Sequence, residues 1–470
     1  MASSPSRWRE GRSDIDNACV LAPRAMDADA RTIILIDGVP RPRADDAVPM
    51  QEILAIDEKM ATTTRKLEAD FSNVEARIHR FPRGLRGIGG DGGRYVAPSV
   101  VAIGPYHHGA SHLHKMEEVK LAAAYYLCRS SGRSTVEVYE RVRSAASAAR
   151  ACYDADDPSV AGLSDADFAA MMFLDGCFLL QYMVDDVTAP VLRNRMTLST
   201  GPSIQKDIFL LENQIPWLVL DALAEFMSVD VLGFVTGMGD KFLPGNDHGS
   251  SRRITIDKNK YKPPHLLGLL RYTKVGCMPA REKNYRGISS SLSSSAVELA
   301  EIGVAVTPSS KVWHRLFAEL SLSPLFLSEV TACWLVNMAA LEASTSGARS
   351  AMEEEEEEAS DDFVVSSYLS VLAMLMDRKE DVHELRRRRV LHGALSNKEA
   401  LGFFKGLGQH LRFGSRYYAT LEGIDSYKRH KSVRITAYKF VYNNYKFIAA
   451  FLSVTGVLIG IFRTLVSLKR

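Results

Sequence analysis

The sequence predicts a mainly α-helical protein whose globular body is followed by one membrane-spanning helix near the C-terminal end. Three observations support this fold class. Apolar residues recur at helical spacing along most of the chain, alternating apolar and polar runs are scarce, and residues 447–462 form an uncharged apolar stretch. We also expect a few short strands, near Val100 and within residues 304–312.

The N-terminal region divides into two predicted segments. Residues 1–49 are rich in Asp, Arg and Pro and predict a disordered arm. Residues 50–77 predict an amphipathic helix, because apolar residues recur at steps of three, four and seven. The members of this face are Ile53, Ile56, Met60, Leu67, Phe71 and Val74, and it continues to Ile78. We expect this helix to dock on the body; a short coiled coil with a partner is the alternative.

Residues 78–427 are predicted to form the globular domain. Ser164, followed three residues later by Asp167, predicts the capped start of one helix. A second helix is predicted over residues 202–227, with a kink at Pro216. Other helices are expected near residues 115–129, 136–152, 296–303, 328–341, 363–376, 398–411 and 415–427. Residues 237–260 and 281–295 are predicted loops, and residues 343–362, with six consecutive glutamates, a disordered acidic insert.

Residues 447–468 are predicted to cross a membrane. A helix of about 22 residues is about 33 Å long, which exceeds the hydrocarbon thickness of a bilayer. The anchoring side chains would include Phe447, Phe451, Leu458 and Phe462. Residues 428–446, which are basic and aromatic, suit the interface. A buried core helix is the alternative interpretation.

The N-terminal sequence contains no apolar segment typical of a cleaved secretory signal. The sequence therefore favours a tail anchor in the plasma membrane or an endomembrane, with the body in the cytosol. The net charge of +2 gives no global attraction to a charged partner, and we expect no nucleic-acid partner. Six cysteines without paired spacing indicate reduced thiols.

Polar residues inside three apolar blocks, residues 95–109, 171–180 and 207–220, are the main candidate site residues. A buried polar group without a partner costs roughly 1–3 kcal/mol, so such residues predict a specific internal network. Its predicted members are Tyr106, His107, His108, Asp175, Asp207, Glu212, Asn213 and Gln214. We expect Asp175 to bond Tyr106 or His107, and the last four residues to brace a kinked helix.

These blocks resemble the plant family called domain of unknown function 247. The resemblance runs from about Ile78 to the C-terminal end. The matching motifs are Ile78, Phe81-Pro82, Leu85-Arg86, Tyr95, Pro98, residues 103–109, Leu113, Met116-Glu117, Lys120, residues 175–178, residues 207–216 and residues 296–304. The departures are Phe81 in place of Val, a Gly-rich insert within residues 84–93 and a divergent linker after Met238.

The resemblance implies a recognition protein more than an enzyme. Some grass members of this family resemble pollen-expressed, male-side determinants of self-incompatibility, so this chain could be one of them or a paralogue in signalling or defence. We therefore predict a membrane-anchored recognition or signalling protein with an unknown protein partner, no catalytic centre, no cofactor and no metal. Partner specificity is expected in residues 237–260 and 343–362.

Two other classes of function remain open from the sequence. A hydrolase or transferase could use His107, His108, Asp175 or Glu212 if these side chains converge on an open pocket. Cys177 could act as a nucleophile, but its apolar neighbours indicate a buried thiol. The basic run at residues 386–389 is interpreted as a solvated helix face, with nuclear import, phosphate binding or nucleic-acid binding as alternatives.

Overall fold

The computed structural model describes residues 50–88, 93–184, 190–198, 200–242, 261–276, 294–308, 318–346, 363–430 and 432–468. The chain divides into two units, Met1–Arg65 and Lys66–Arg470. The predicted disordered arm, residues 1–49, lies outside the described residues. The described part of the first unit belongs to helix α1, Met50–Ser72.

The fold is mainly helical, as the sequence predicts. The helices after α1 in the first half of the body are α2 His114–Ser131, α3 Thr135–Arg150, α4 Pro158–Ala161, α5 Asp165–Met183, α6 Pro190–Arg193, α7 Gly201–Asp207, α8 Trp217–Ala224, α9 Val231–Phe242 and α10 Leu266–Val275. Those of the second half are α11 Ala296–Glu301, α12 Glu329–Thr345, α13 Val364–Leu375, α14 Lys379–Arg387, α15 Asn397–Gly408, α16 Ser415–His430 and α17 Ser432–Leu468.

Helix α1 is shorter than the predicted amphipathic segment, because a 3₁₀ turn, Val74–Ala76, follows it after Asn73. Within the second unit, Leu67 and Phe71 at the end of α1 are exposed. The expected docking of this face on the body is therefore wrong at these two residues, whereas Ile78, beyond the helix, is buried in the core.

Helix α5 forms the centre of the first half of the body. Ser164 accepts a hydrogen bond from the Asp167 amide, so the predicted cap is confirmed. From Phe168 onward almost every side chain of α5 is buried, because α2, α3 and α8 pack around it. A helix that is apolar on all sides belongs in a core, and this position brings Asp175 into the interior.

The prediction of one kinked helix over residues 202–227 is wrong. Helix α7 ends at Asp207, residues 208–216 are irregular, and α8 begins at Trp217 after Pro216. Pro216 is the N-cap residue of α8, and it has no amide hydrogen that would need a partner there. The irregular segment is buried throughout, so its backbone groups need partners from elsewhere in the chain.

The strands form two short parallel pairs. Strand β1 (Val304–Pro308) pairs with β2 (Ala318–Leu322), with Val304 opposite Ala318. Strand β3 (Leu325–Leu327) pairs with β4 (Leu391–Gly393). The expected strand at residues 304–312 is thus present from Val304 to Pro308, but Val100 lies in an extended segment that belongs to no strand.

The predicted variable loops lie mostly outside the described residues. Residues 243–260, 277–293 and 347–362 are not described, and they include the glutamate tract. The described part of the first loop is helical, because α9 continues to Phe242. The acidic insert was predicted from Ala343, but α12 extends to Thr345.

The long apolar C-terminal helix is present, as predicted. Helix α17 includes a stretch from Tyr438 to Thr464, 27 residues long, that is apolar enough to cross a membrane. None of its most apolar window is buried in the protein. The alternative interpretation as a buried core helix is therefore wrong. Residues 428–437, at the basic end, belong partly to α16 and partly to α17.

Candidate functional site

The carboxylate of Asp207 holds an extended segment that begins about a hundred residues earlier. It accepts hydrogen bonds from the amides of Ser99, Val100 and Val101 at 2.7–3.1 Å. Asp207 is fully buried, and burial raises its pKa while the three amides counteract that rise. A carboxylate at the end of α7 thereby satisfies three consecutive backbone amides of this segment.

Asn213 continues the same attachment. Its Oδ1 accepts from the amide of Ile103 at 2.7 Å, and its Nδ2 donates to the carbonyls of Val101 and Asp207 at 3.0 and 2.9 Å. An amide side chain suits this position because it both donates and accepts. The irregular residues after α7 and the extended segment are therefore fixed to each other.

Asp175 joins the network from α5. Its Oδ2 accepts from the Gly104 amide at 2.8 Å, and its Oδ1 lies 2.6 Å from Lys120 Nζ. Lys120 also lies 2.7 Å from Glu117. Burial opposes the charge on Lys120, but the two carboxylates outweigh it and raise the pKa of Lys120. The expected partners of Asp175, Tyr106 and His107, are not its partners.

Gln214 satisfies the backbone of the irregular segment itself. Its Nε2 lies 2.8–2.9 Å from the carbonyls of Ile208, Leu210 and Asn213, and its Oε1 accepts from Leu267 at the start of α10. The Gln214 carbonyl in turn accepts from the Tyr153 hydroxyl at 2.9 Å. The side chain of Gln214 therefore connects the irregular segment with α10, and its backbone carbonyl adds Tyr153. The kinked helix that it was expected to brace is absent at residues 208–216.

Gly104 is the residue at which the extended segment passes closest to Gln214. Its φ of +78° lies in the left-handed region, and a Cβ there would collide with the Gln214 carbonyl oxygen. The Gly104-Pro105 pair opens the short 3₁₀ turn Pro105–His107. Glycine is thus required at this position both by its conformation and by the space available.

Glu212 organises a second, more accessible cluster. It accepts from the Phe81 amide at 2.8 Å and from Arg80 and Arg86 at 2.9 and 3.2 Å. Arg80 also forms two bonds with Asp157, at 2.8 and 2.9 Å. Hydrogen bonding to Arg80 holds the pKa of Asp157 well below its usual range.

Tyr106 and His107 lie beside this second cluster. The Tyr106 hydroxyl donates to the Ile78 carbonyl at 2.9 Å, and the Arg80 guanidinium lies 4.0 Å from the centre of the Tyr106 ring. Burial raises the pKa of Tyr106 to about 12. His107 Nε2 lies 3.5 Å from Glu212, and burial lowers the pKa of His107.

His108 lies apart from both clusters. Its side chain is exposed, immediately after the 3₁₀ turn that contains Tyr106 and His107. Of the eight predicted network residues, the structure brings Asp175, Asp207, Asn213 and Gln214 together around residues 99–104 and places Tyr106, His107 and Glu212 around Arg80. It does not bring His108 into either group.

The described residues contain no group of three or more His, Cys, Asp or Glu side chains arranged to hold a metal ion. Cys177 is buried, and burial raises its pKa well above the ordinary value. A shallow cleft between α3 and the end of α8 contains none of the predicted site residues. Its lining consists of Ser131, Arg133, Glu137, Arg141, Glu225 and Phe226.

Several buried polar residues were not identified from the sequence. Asn337 donates to the Tyr95 carbonyl at 2.9 Å and accepts from the Leu211 amide at 2.8 Å. Glu342 pairs with Arg271 at 2.9 Å and accepts from the amides at the start of α13. Both lie in an apolar run, so the reasoning applied to Asp175 could have found them.

The region that contains this network is similar to other plant proteins. The sequence model of a family described as plant proteins of unknown function matches residues 78–459. A UPF0481 protein of Arabidopsis thaliana is 30% identical over 192 residues, 37% of each chain. A putative UPF0481 protein of the same plant is 29% identical over 162 residues, 34% of this chain and 29% of the relative.

The aligned regions therefore span about a third of these two relatives' length. No solved structure matches the chain.

Proposed function

Because this chain belongs to the plant family called domain of unknown function 247, whose function is not assigned, we propose that it is a membrane-anchored recognition or signalling protein without a catalytic centre. The observation that carries this proposal is the unburied apolar stretch from Tyr438 to Thr464. At 27 residues it is about 40 Å long, which exceeds the hydrocarbon thickness of a bilayer.

The ends of this stretch suit the two surfaces of a membrane. Tyr442, Tyr445 and Lys446 are exposed near its beginning, where aromatic and cationic side chains favour the interface. Arg463 lies near its other end and can extend its charge into the headgroup layer. The cations before the span support a cytosolic body, since positive residues favour the cytosolic side.

The partners of the predicted polar residues support a structural role for them. Asp175, Asp207 and Asn213 are buried, and each is bonded to the backbone of residues 99–104. Such partners leave few free lone pairs for a substrate. The rival proposal, a hydrolase or transferase that uses His107, His108, Asp175 or Glu212, would need these side chains to converge on an open pocket.

The role in self-incompatibility is a finer proposal that rests on the family resemblance alone. It requires expression in pollen and a partner on the pistil side. Loss of the gene product in pollen, with no change in self-rejection, would count against it and would leave membrane anchoring untouched.

Protease protection tests the anchor and its topology. Membranes would carry the full chain tagged at Met1 or, separately, at Arg470. We expect the protein to resist extraction at alkaline pH, the Met1 tag to be digested and the Arg470 tag to be protected. A protected Met1 tag would reverse the topology, and extraction of both tags would refute the anchor.

A matched pair of variants makes this test specific. Leu458→Lys with Ile459→Lys places two charges in the span, each costing about 2.5–3.5 kcal/mol near its centre, and should release the protein from the membrane. Leu121→Lys changes an equally exposed apolar residue of α2 and should leave membrane retention unchanged.

A further inference from the structure

The last turn of α14 and the residues that follow it carry the basic run Arg386–Arg389, which the proposed function does not use. Arg387 and Arg389 are exposed, and Arg388 is about one-third exposed. Arg389 has a φ of +61°, in the left-handed region, so the helix does not continue through it. The position of this run relative to the membrane helix indicates which kind of ligand it can reach.

A chain of contacts connects α14 with the beginning of α17. The amide of Val297 in α11 donates to Asp381 of α14 at 2.9 Å. Just after α11, Gly303 lies against the ring of Tyr438, so closely that an added Cβ would be 3.3 Å from it. Helix α11 therefore lies between α14 and the membrane helix and fixes one relative to the other.

One turn further along α17, the basic run lies near the membrane helix. Arg387 is within electrostatic range of Tyr442, whose ring stacks on that of Tyr438 with the centroids 6.3 Å apart. Tyr442 precedes Phe447, where the uncharged stretch begins, by about 7.5 Å of helix. Each headgroup layer is about 5–8 Å thick. Tyr442 is thus level with the outer part of the headgroups, and Arg387 lies near it.

The charges of the basic run and of the beginning of α17 are unbalanced. The cations are Arg387, Arg388 and Arg389 from the body and Lys439 and Lys446 from α17, and all but Arg388 are exposed. Among residues 384–389 and 439–446 the only carboxylate is that of Glu384. Glu384 is largely buried and is bonded to Arg387 and Arg388 at 2.7–2.8 Å. The exposed side chains of these two segments therefore carry an excess of positive charge.

We propose that the membrane-proximal surface formed by Arg387–Arg389, Lys439 and Lys446 binds anionic phospholipid headgroups in the leaflet nearest the body. This inference rests on the proposed membrane anchoring and adds a lipid class to it. Anionic lipids complement the charge, and the apolar helix that emerges from the same surface brings their headgroups within reach. The exposed guanidinium of Arg389 suits a phosphate because it can donate two parallel hydrogen bonds, whereas Arg387 and Arg388, which are paired with Glu384, add positive charge nearby.

The experiment uses the full chain reconstituted into vesicles. Retention in pure phosphatidylcholine vesicles after alkaline washing tests the anchor by itself. Spin-labelled phosphatidylserine and spin-labelled phosphatidylcholine, each added as a trace to vesicles of both lipids, then report which lipid the protein immobilises. We expect a several-fold preference for phosphatidylserine that falls as salt shortens the screening length.

Arg387→Gln with Arg389→Gln should weaken this preference by up to about fivefold for each arginine in contact with a headgroup, which corresponds to about 1 kcal/mol. Arg387→Lys with Arg389→Lys keeps both charges and should retain most of the preference. Arg129→Gln with Arg143→Gln removes two exposed charges from α2 and α3 and should change nothing. Unchanged melting temperatures would exclude unfolding as the cause.

The two proposals fail in different ways. An anchored protein with no lipid preference, or with the same preference in the wild type and the glutamine variant, would overturn the lipid-binding surface and leave the anchor standing. A protein that washes off neutral vesicles would overturn both proposals.

Discussion

Lys120 Nζ lies 2.6 Å from Asp175 Oδ1, and both side chains are shielded from solvent. The pair joins α2 to α5, while the other oxygen of Asp175 holds the Gly104 amide. One carboxylate therefore connects two helices with the extended segment. The stability of this part of the body therefore depends on an ion pair whose two side chains are shielded from water.

Lys120→Met should destabilise the protein by about 3–5 kcal/mol, because it leaves Asp175 as an unpaired buried charge. Chemical denaturation would measure the loss in the free energy of unfolding. The control is Arg133→Met, which breaks the exposed pair with Glu137 and should cost about 1 kcal/mol at most. Equal effects of the two substitutions would contradict the buried pair.

Gly104→Ala should cost more than Gly109→Ala, although both glycines have nearly the same φ, +78° and +77°. The left-handed conformation costs an alanine about 1–2 kcal/mol at either position. Only at Gly104 does the new Cβ also meet a backbone oxygen, which adds about 1–3 kcal/mol. The difference between the two variants in the loss of unfolding free energy, obtained from their melting curves, measures the effect of the close approach of Gly104 to Gln214. Equal losses in the two variants would contradict that close approach.

Asp207→Asn should destabilise the protein by about 3 kcal/mol, because the new amide presents a donor to backbone amides that need an acceptor. Hydrogen exchange at Ser99, Val100 and Val101 should accelerate in the variant if the segment loosens locally. Asp221→Asn, at an exposed position of α8, provides the control and should leave both stability and exchange unchanged.

His265 should make the protein less stable in mild acid. It is fully buried, its Nδ1 accepts the Gly268 amide at the start of α10, and burial lowers its pKa from 6.5 to about 3. The unfolded chain therefore binds one more proton below pH 6.5. The stabilisation is complete above pH 6.5 and is lost as the pH falls towards 3, by about 1.4 kcal/mol per pH unit.

The substitution His265→Asn keeps an acceptor for the Gly268 amide and removes the titrating ring. Unfolding at pH 6.5 and at pH 5 should show about 2 kcal/mol less acid sensitivity in this variant than in the wild type. The exposed His383→Asn serves as the control. Identical pH slopes in all three proteins would show that the ring of His265 is solvated.

The helices could be predicted because their signals are local. Ser164 and Asp167 indicate the start of α5 from four neighbouring residues, and the apolar stretch after Tyr445 indicates the long apolar C-terminal helix. Family membership was also predictable, since the motifs retain their order. The helix start and the apolar helix depend on residues within a few turns of the same helix. Family membership depends on the residues of the motifs themselves.

The break after Asp207 could not be predicted in the same way. Ile208, Leu211 and Ile215 follow one another at steps of three and four, which suit a helix, so local preference favours continuation. The structure is decided instead by Ser99–Val101 and Ile103, whose amides bind Asp207 and Asn213 from a distant part of the sequence. Propensity is outweighed where buried backbone groups find such partners.

The partner of Asp175 was missed for a related reason. Lys120 lies in a helix with charged neighbours, where a lysine normally faces solvent. Its burial depends on the packing of α2 against α5, which the sequence does not specify by any local pattern. Tertiary contacts therefore decide whether a lysine such as Lys120 is buried or solvated.

Helix α17 is a single helix of 37 residues, from Ser432 to Leu468, and it passes from the body into the apolar stretch without interruption. In the proposed anchored state, this continuity makes α17 a rigid connection between the bilayer and the body. A change in tilt of about 10° about the middle of the bilayer would displace Tyr438 by about 4 Å. Since the ring of Tyr438 lies against Gly303, we expect changes in bilayer thickness or in lateral pressure to displace the part of the body that contacts α17.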